Sequence, residues 1–119
     1  MGLFEKLLGG FGARGKATTV YKRGMEKADQ RDWEGAIVEY SAVIEMDGAP
    51  GDVKAMALFN RAIAYSHAKD DSRAESDLQR VLSFDAATTQ VKTAARERIK
   101  RMAKYRQRQQ GNQQGNVES

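Results

Sequence analysis

Three observations predict an all-α chain of antiparallel helical hairpins closed by a capping helix. Apolar residues recur at helical spacing between Asp32 and Asp47, and a similar run returns between Asp70 and Asp85. A basic stretch after Thr88 carries an apolar stripe of its own. Short helices of this kind bury too little surface to stand alone, so each must pack its stripe on a neighbour.

Residues 1 to 16 differ in character from the rest of the chain. Leu3, Phe4, Leu7, Leu8 and Phe11 form a short apolar stripe, and Gly9, Gly10, Gly12 and Gly15 are expected to break any helix there. The segment reads as a strap on the body, as an amphipathic anchor that lays those apolar residues on a membrane surface or into a partner groove, or as simple disorder. Two motifs are near misses. Lys6 stands where a myristoylation signal after Gly2 wants Ser or Thr. Gly10 to Lys16 imitates a phosphate-binding loop, but Ala17 replaces the magnesium-holding hydroxyl and no strand pattern precedes it.

The first hairpin helix is expected from Thr18 or Thr19 to Asp29, with Tyr21, Met25 and Ala28 on one face. Asp32 then stands where its carboxylate can accept from the first-turn amides of the next helix. In that helix Trp33, Ile37, Tyr40 and Ile44 share a stripe flanked by Ala36 and Val43. Gly48, Pro50 and Gly51 end it. Val53 to Ala68 forms the third helix, with Met56, Phe59, Ile63 and His67 on one stripe and Leu58, Ala62 and Tyr65 on another. Two stripes imply two packing partners.

The run from Asp70 to Asp85 aligns with the earlier one, Ala74 standing 38 residues after Ala36. Thr88 to about Gln107 makes the last helix, with Val91, Ala95, Ile99 and Met102 on one face. Its basic remainder suits a cap whose outer side meets water. Residues 109–119 are Gln, Asn and Gly rich and are expected to be disordered.

The two copies carry a recognisable pattern. The first reads Val20-x2-Arg23-Gly24-x2-Lys27 and then Ala36-x3-Tyr40; the second reads Leu58-x2-Arg61-Ala62-x2-Tyr65 and then Ala74-x3-Leu78. Over residues 17 to 86 this resembles the tetratricopeptide repeat (TPR) family, whose repeats run Trp-x2-Leu-Gly-x2-Tyr, then Ala-x3-Phe, then Pro. Gly48 and Ala86 stand in place of the prolines. Arg23 and Lys27 replace apolar residues, which points to a first helix whose outer side meets water or the N-terminal segment.

The resemblance implies a short right-handed superhelix with repeats at about 17–50 and 53–86, a capping helix at 88–108, and a concave groove that receives partners. Tyr21, Met25, Phe59, Asn60, Ile63, Ser66 and His67 would line that groove. The competing reading covers Tyr21, Met25, Phe59 and Ile63 with the protein's own segments. Of the residues with which some family members grip a C-terminal carboxylate, only Asn60 is present, because Tyr21 and Met25 stand where a lysine and an asparagine belong. That activity is not carried over.

Composition sets further bounds. At 119 residues the chain is one domain with tails. It has no cysteine, which excludes disulfides and thiolate chemistry. Thirteen acidic against nine basic residues leave −4 over 17–87, whereas eight basic residues against Glu97 leave +7 over 88–110. No apolar run approaches a membrane span. The single histidine, His67, lacks further nitrogen or sulfur ligands, and no nucleophile and base stand at recognisable spacing.

The expectation is therefore a non-enzymatic, cofactor-free and metal-free cytoplasmic interaction module for a protein or peptide partner. One alternative is a peripheral membrane adaptor using the N-terminal stripe and the basic last helix. Another is nucleic-acid binding by that helix, disfavoured because basic helix faces are usually just solvated. Self-association is a third, with Leu3, Phe4, Leu7 and Leu8 filling a neighbour's groove.

Overall fold

The polypeptide turns back on itself at two junctions of matching construction. In the computed structural model, which describes residues 12–118, the elements are α1 (Gly12–Asp29), α2 (Trp33–Glu45), α3 (Gly51–His67), α4 (Asp71–Ser83) and α5 (Thr89–Glu118). Among the described residues the regular structure is entirely helical. The apolar residues Leu3, Phe4, Leu7, Leu8 and Phe11 lie outside the described part.

Arg31 and Lys69, 38 residues apart, both take left-handed backbone, with φ of 60° and 67°. At each, the chain closes the preceding helix by bonds back into its last turn: Asp32 N–H donates to Lys27 O at 2.9 Å, and Asp70 N–H to Tyr65 O at 2.8 Å. Each aspartate then caps the next helix, Asp32 accepting from Gly35 N at 3.0 Å and Asp70 from Arg73 N at 3.1 Å. The far ends match too, Met46 N–H donating to Val43 O and Phe84 N–H to Val81 O, both at 3.2 Å. These short turns make α1 with α2, and α3 with α4, helical hairpins.

Consecutive helices pack on each other, and α3 also touches α1 and α5. One row is thus α1, α3 and α5, with α2 and α4 behind it. The interior has two parts. Ala17, Ala36, Tyr40, Val43, Val53, Ala57 and Ala64 form the first; Ala55, Leu58, Ala62, Ala74, Leu78, Val81 and Ala95 form the second. Ile44 contacts both. Ala36 and Ala74 are fully buried, as the repeated alanines require. Fully covering a side chain such as Leu58 or Leu78 stabilises the fold by about 2 kcal/mol.

Close approach explains Gly24. A Cβ added there would lie 2.5 Å from Cε1 and 2.7 Å from Cδ1 of Tyr40. The buried Tyr40 ring fills the space a side chain on α1 would need.

Four expectations are corrected. First, α1 begins at Gly12, so Gly12 and Gly15 do not break it, and the phosphate-loop imitation is helical from Gly12 to Lys16. A bidentate bond from Arg14 to Asp52, with N–O distances of 3.1 and 3.3 Å, ties this extra turn to the start of α3. It also holds the Asp52 carboxyl below its usual pKa. Second, α3 starts at Gly51, two residues before Val53, because Pro50 is preorganised as its cap residue. Third, the deepest packing of α3 on the first core is by Val53, Ala57 and Ala64, while of the expected stripe Met56 and Phe59 pack on the two cores only partly buried, Ile63 is partly buried and His67 is exposed. Small residues face α2, and the larger ones remain at the margin.

The fourth correction concerns the tail. Composition predicts a capping helix that stops near residue 108, yet α5 continues through the Gln/Asn/Gly region to Glu118. A helix already nucleated by packing at Val91, Ile99 and Met102 adds further turns at little cost, and that region contains no proline. Glycine there lowers the gain by about 1 kcal/mol each without forbidding the turn.

Candidate functional site

The exposed side of the α1, α3 and α5 row is where the candidate groove residues fall. The start of α1 is fixed by the Arg14–Asp52 pair, and Tyr21 sits midway along that helix, its ring 5.7 Å from that of Tyr40. Asn60, on α3, donates from Nδ2 to the Tyr21 hydroxyl at 2.7 Å and to Met56 O at 3.0 Å. Both amide hydrogens are therefore used inside the protein. Burial raises the Tyr21 phenol pKa, so it is neutral and able to accept that bond.

The remaining candidates divide. Met25 is 43% exposed beside Tyr21 on α1. Phe59 and Ile63 are half-buried on α3, Phe59 resting on the second core. His67 is exposed and stacks on Trp33, with ring centroids 4.1 Å apart and planes 6° from parallel. Ser66 instead opens toward α5. Tyr21 and Asn60 are thus brought together, whereas Ser66 and His67 leave the end of α3 in different directions.

Behind this face lies a buried ion pair. Arg61 Nε and Nη2 each donate to an Asp77 carboxylate oxygen at 2.7 Å, and Arg61 Nη1 donates to Ser41 Oγ at 3.0 Å. The side chains are only 13% and 5% exposed. The carboxylate beside it raises the Arg61 pKa, so the guanidinium is firmly charged. Arg61 also lies over the Tyr65 ring at 5.6 Å. This arrangement connects α2, α3 and α4 and fixes the helix from which Phe59, Asn60 and Ile63 project.

Two concavities accompany the face. One, of about 450 Å³, lies between the α3–α4 turn and α5, with Ser66, Lys69, Asp71, Arg98, Arg101 and Tyr105 among its walls. The other, about 390 Å³, lies on the outer side of α1 beside Val20, Arg23 and Met46. Arg23 there pairs with Glu39 at 4.0 Å and Lys27 with Asp32 at 3.8 Å, which gives both unexpected cations a place at the surface. Among the described residues no three His, Asp or Glu side chains converge as metal ligands.

Sequence reasoning missed the Arg61–Asp77 pair and the cleft along α5. By type, Asp77 is one more polar residue of a surface helix. The cleft had a legible trace: Arg98, Arg101, Met102 and Tyr105 fall at i, i+3, i+4 and i+7, so the face continuing from Ile99 and Met102 is partly cationic and aromatic. Comparison with family models, curated proteins and solved structures returned no match.

Proposed function

We propose that this chain is a non-catalytic adaptor that binds a segment of a partner protein on the face shared by α1 and α3. Its hairpins are read as TPR-type repeats in a short right-handed superhelix, with α5 as the cap, working in the cytoplasm. The observation that carries the reading is the Tyr21–Asn60 bond, which joins the two helices across a surface where Met25, Phe59 and Ile63 retain exposure. Preformed helices with apolar side chains between hydrogen-bonded polar ones suit an extended or helical partner segment, since little ordering remains to be done on binding. Ser66 and His67 stand at the end of α3, Ser66 opening toward α5 and His67 stacked on Trp33, and are not needed for this reading.

The test is affinity capture with the intact chain, followed by measured binding of the captured partner to Phe59→Ala and Tyr21→Ala. If Phe59 is an anchor, its truncation costs about 2 kcal/mol, roughly thirtyfold in Kd. A folded Phe59→Ala variant with unchanged partner affinity refutes the anchor, and unchanged affinity in both variants refutes the groove.

A further inference from the structure

We infer that the cleft between the α3–α4 turn and α5 is a docking site for a short acidic segment of a partner polypeptide. It is distinct from the Tyr21–Phe59 face and does not depend on that face being a groove.

Cations without counter-charges gather at this cleft. Of the cations on the cleft wall Arg106 is paired, at 2.6 Å from Glu75; outside it Arg73 lies at 3.3 Å from Asp70 and Lys100 at 3.9 Å from Glu97. Lys69, Arg98 and Arg101 line the cleft, and among the described residues none has a carboxylate within 4.0 Å. Arg98 is half-buried, and burial together with the neighbouring Arg101 charge lowers its pKa. Two guanidinium groups held close together, one of them partly desolvated, gain from an anion placed between them.

The walls select the class of anion. Met102 and Tyr105 add an apolar and aromatic side, and Tyr105 is 60% exposed. Such a surface accommodates the aliphatic part of a peptide while arginines take its carboxylates in bidentate fashion. Asp71 forms part of the opposite wall, and residues 17–87 carry net −4. A long polyanion extending beyond the cleft would meet that acidic body, whereas a short segment with two or three carboxylates ends before reaching it. A space of about 450 Å³ suits a few peptide side chains.

The experiment is fluorescence anisotropy at low salt with the full chain and a short fluorescein-labelled peptide of Asp, Glu and Leu. Its Asn, Gln and Leu counterpart and a single-stranded DNA of equal charge are run beside it. The acidic peptide should bind, and the amide peptide should not. Arg98→Gln with Arg101→Gln should weaken binding by about tenfold or more, and the exposed Arg101→Gln alone by several-fold. Lys92→Gln and Arg108→Gln, which remove charge from the same helix outside the cleft, should stay within about twofold. Phe59→Ala should also retain peptide binding, so failure of the α1–α3 reading leaves this result standing.

Three results of the binding assay overturn the proposal. They are absence of peptide binding by the intact chain, equal losses in the Lys92 and Arg108 variants, and tighter binding of the DNA than of the peptide. If the acidic flank of a second copy is the occupant, the mass of the chain alone rises with concentration at low salt and falls back in Arg101→Gln, which also overturns it.

Discussion

The Arg61–Asp77 pair offers the most demanding test of how the hairpins are held in register. Arg61 makes two 2.7 Å bonds to Asp77 and a third, 3.0 Å, to Ser41, with both charged side chains almost wholly covered. Taking two such ions out of water is costly, and their attraction offsets that cost only because the fork geometry satisfies both partners. Asp77→Ala leaves a guanidinium in the interior without its carboxylate, keeping only the Ser41 bond. The expected loss is about 3–5 kcal/mol, a large part of the roughly 5–15 kcal/mol that holds an ordinary domain together. Arg61→Met should cost a comparable amount by leaving Asp77 charged and unpaired.

The double replacement Arg61→Met with Asp77→Leu removes both charges together and should return to within about 1 kcal/mol of the starting protein. The assay is urea denaturation followed by helical circular dichroism, with ΔG from linear extrapolation and a double-mutant cycle giving the coupling. Single variants that each cost under about 1 kcal/mol, with additive effects in the double, would refute the reasoning. That outcome would mean the pair is solvated in solution.

Other expectations concern the packing around Tyr40 and the turns. Gly24→Ala brings a methyl against the Tyr40 ring and should destabilise by about 1–3 kcal/mol despite its better helix propensity, as read from the urea midpoint. Arg31→Gly relieves left-handed backbone at the end of α1 and should stabilise by about 1 kcal/mol; a loss in thermal midpoint would count against the turn geometry. Burial, with Tyr21 and Asp29 nearby, pushes the Tyr40 phenol up to about 12 from an ordinary 10. Because the folded state favours the neutral form, that contribution is complete below pH 10 and disappears as pH rises toward 12, an effect of about 2–3 kcal/mol. Tyr40→Phe should leave neutral-pH stability nearly unchanged and abolish that part of the alkaline loss.

Much of the architecture was legible because it is written in local chemistry. Asp32 and Asp70 announce helix starts, their carboxylates reaching only three residues ahead. The alanines at 36 and 74 mark close helix contacts, and the stripe of Val91, Ala95 and Ile99 marks α5 as a cover for the second core. Such features depend on neighbours one or two turns away, so spacing along the chain carries them. The extent of α1 and α5 was less legible. Glycine and polar composition report propensity, and the Arg14–Asp52 bond shows a terminal turn held by a residue 38 positions away.

The candidate face was visible as a set of residue types, but its arrangement was not. Tyr21 and Asn60, 39 residues apart, meet only because α1 and α3 lie side by side. Ser66 and His67 are adjacent in the chain yet diverge toward α5 and Trp33, since successive side chains on a helix project about 100° apart. Arg61 and Asp77, likewise, are ordinary surface residues by type; folding buries them against each other. Helical periodicity and capping determine which segments become helices and which stripe each one hides. Which distant charges and hydroxyls meet is decided when those helices pack, because that step alone fixes distances between residues far apart in the chain.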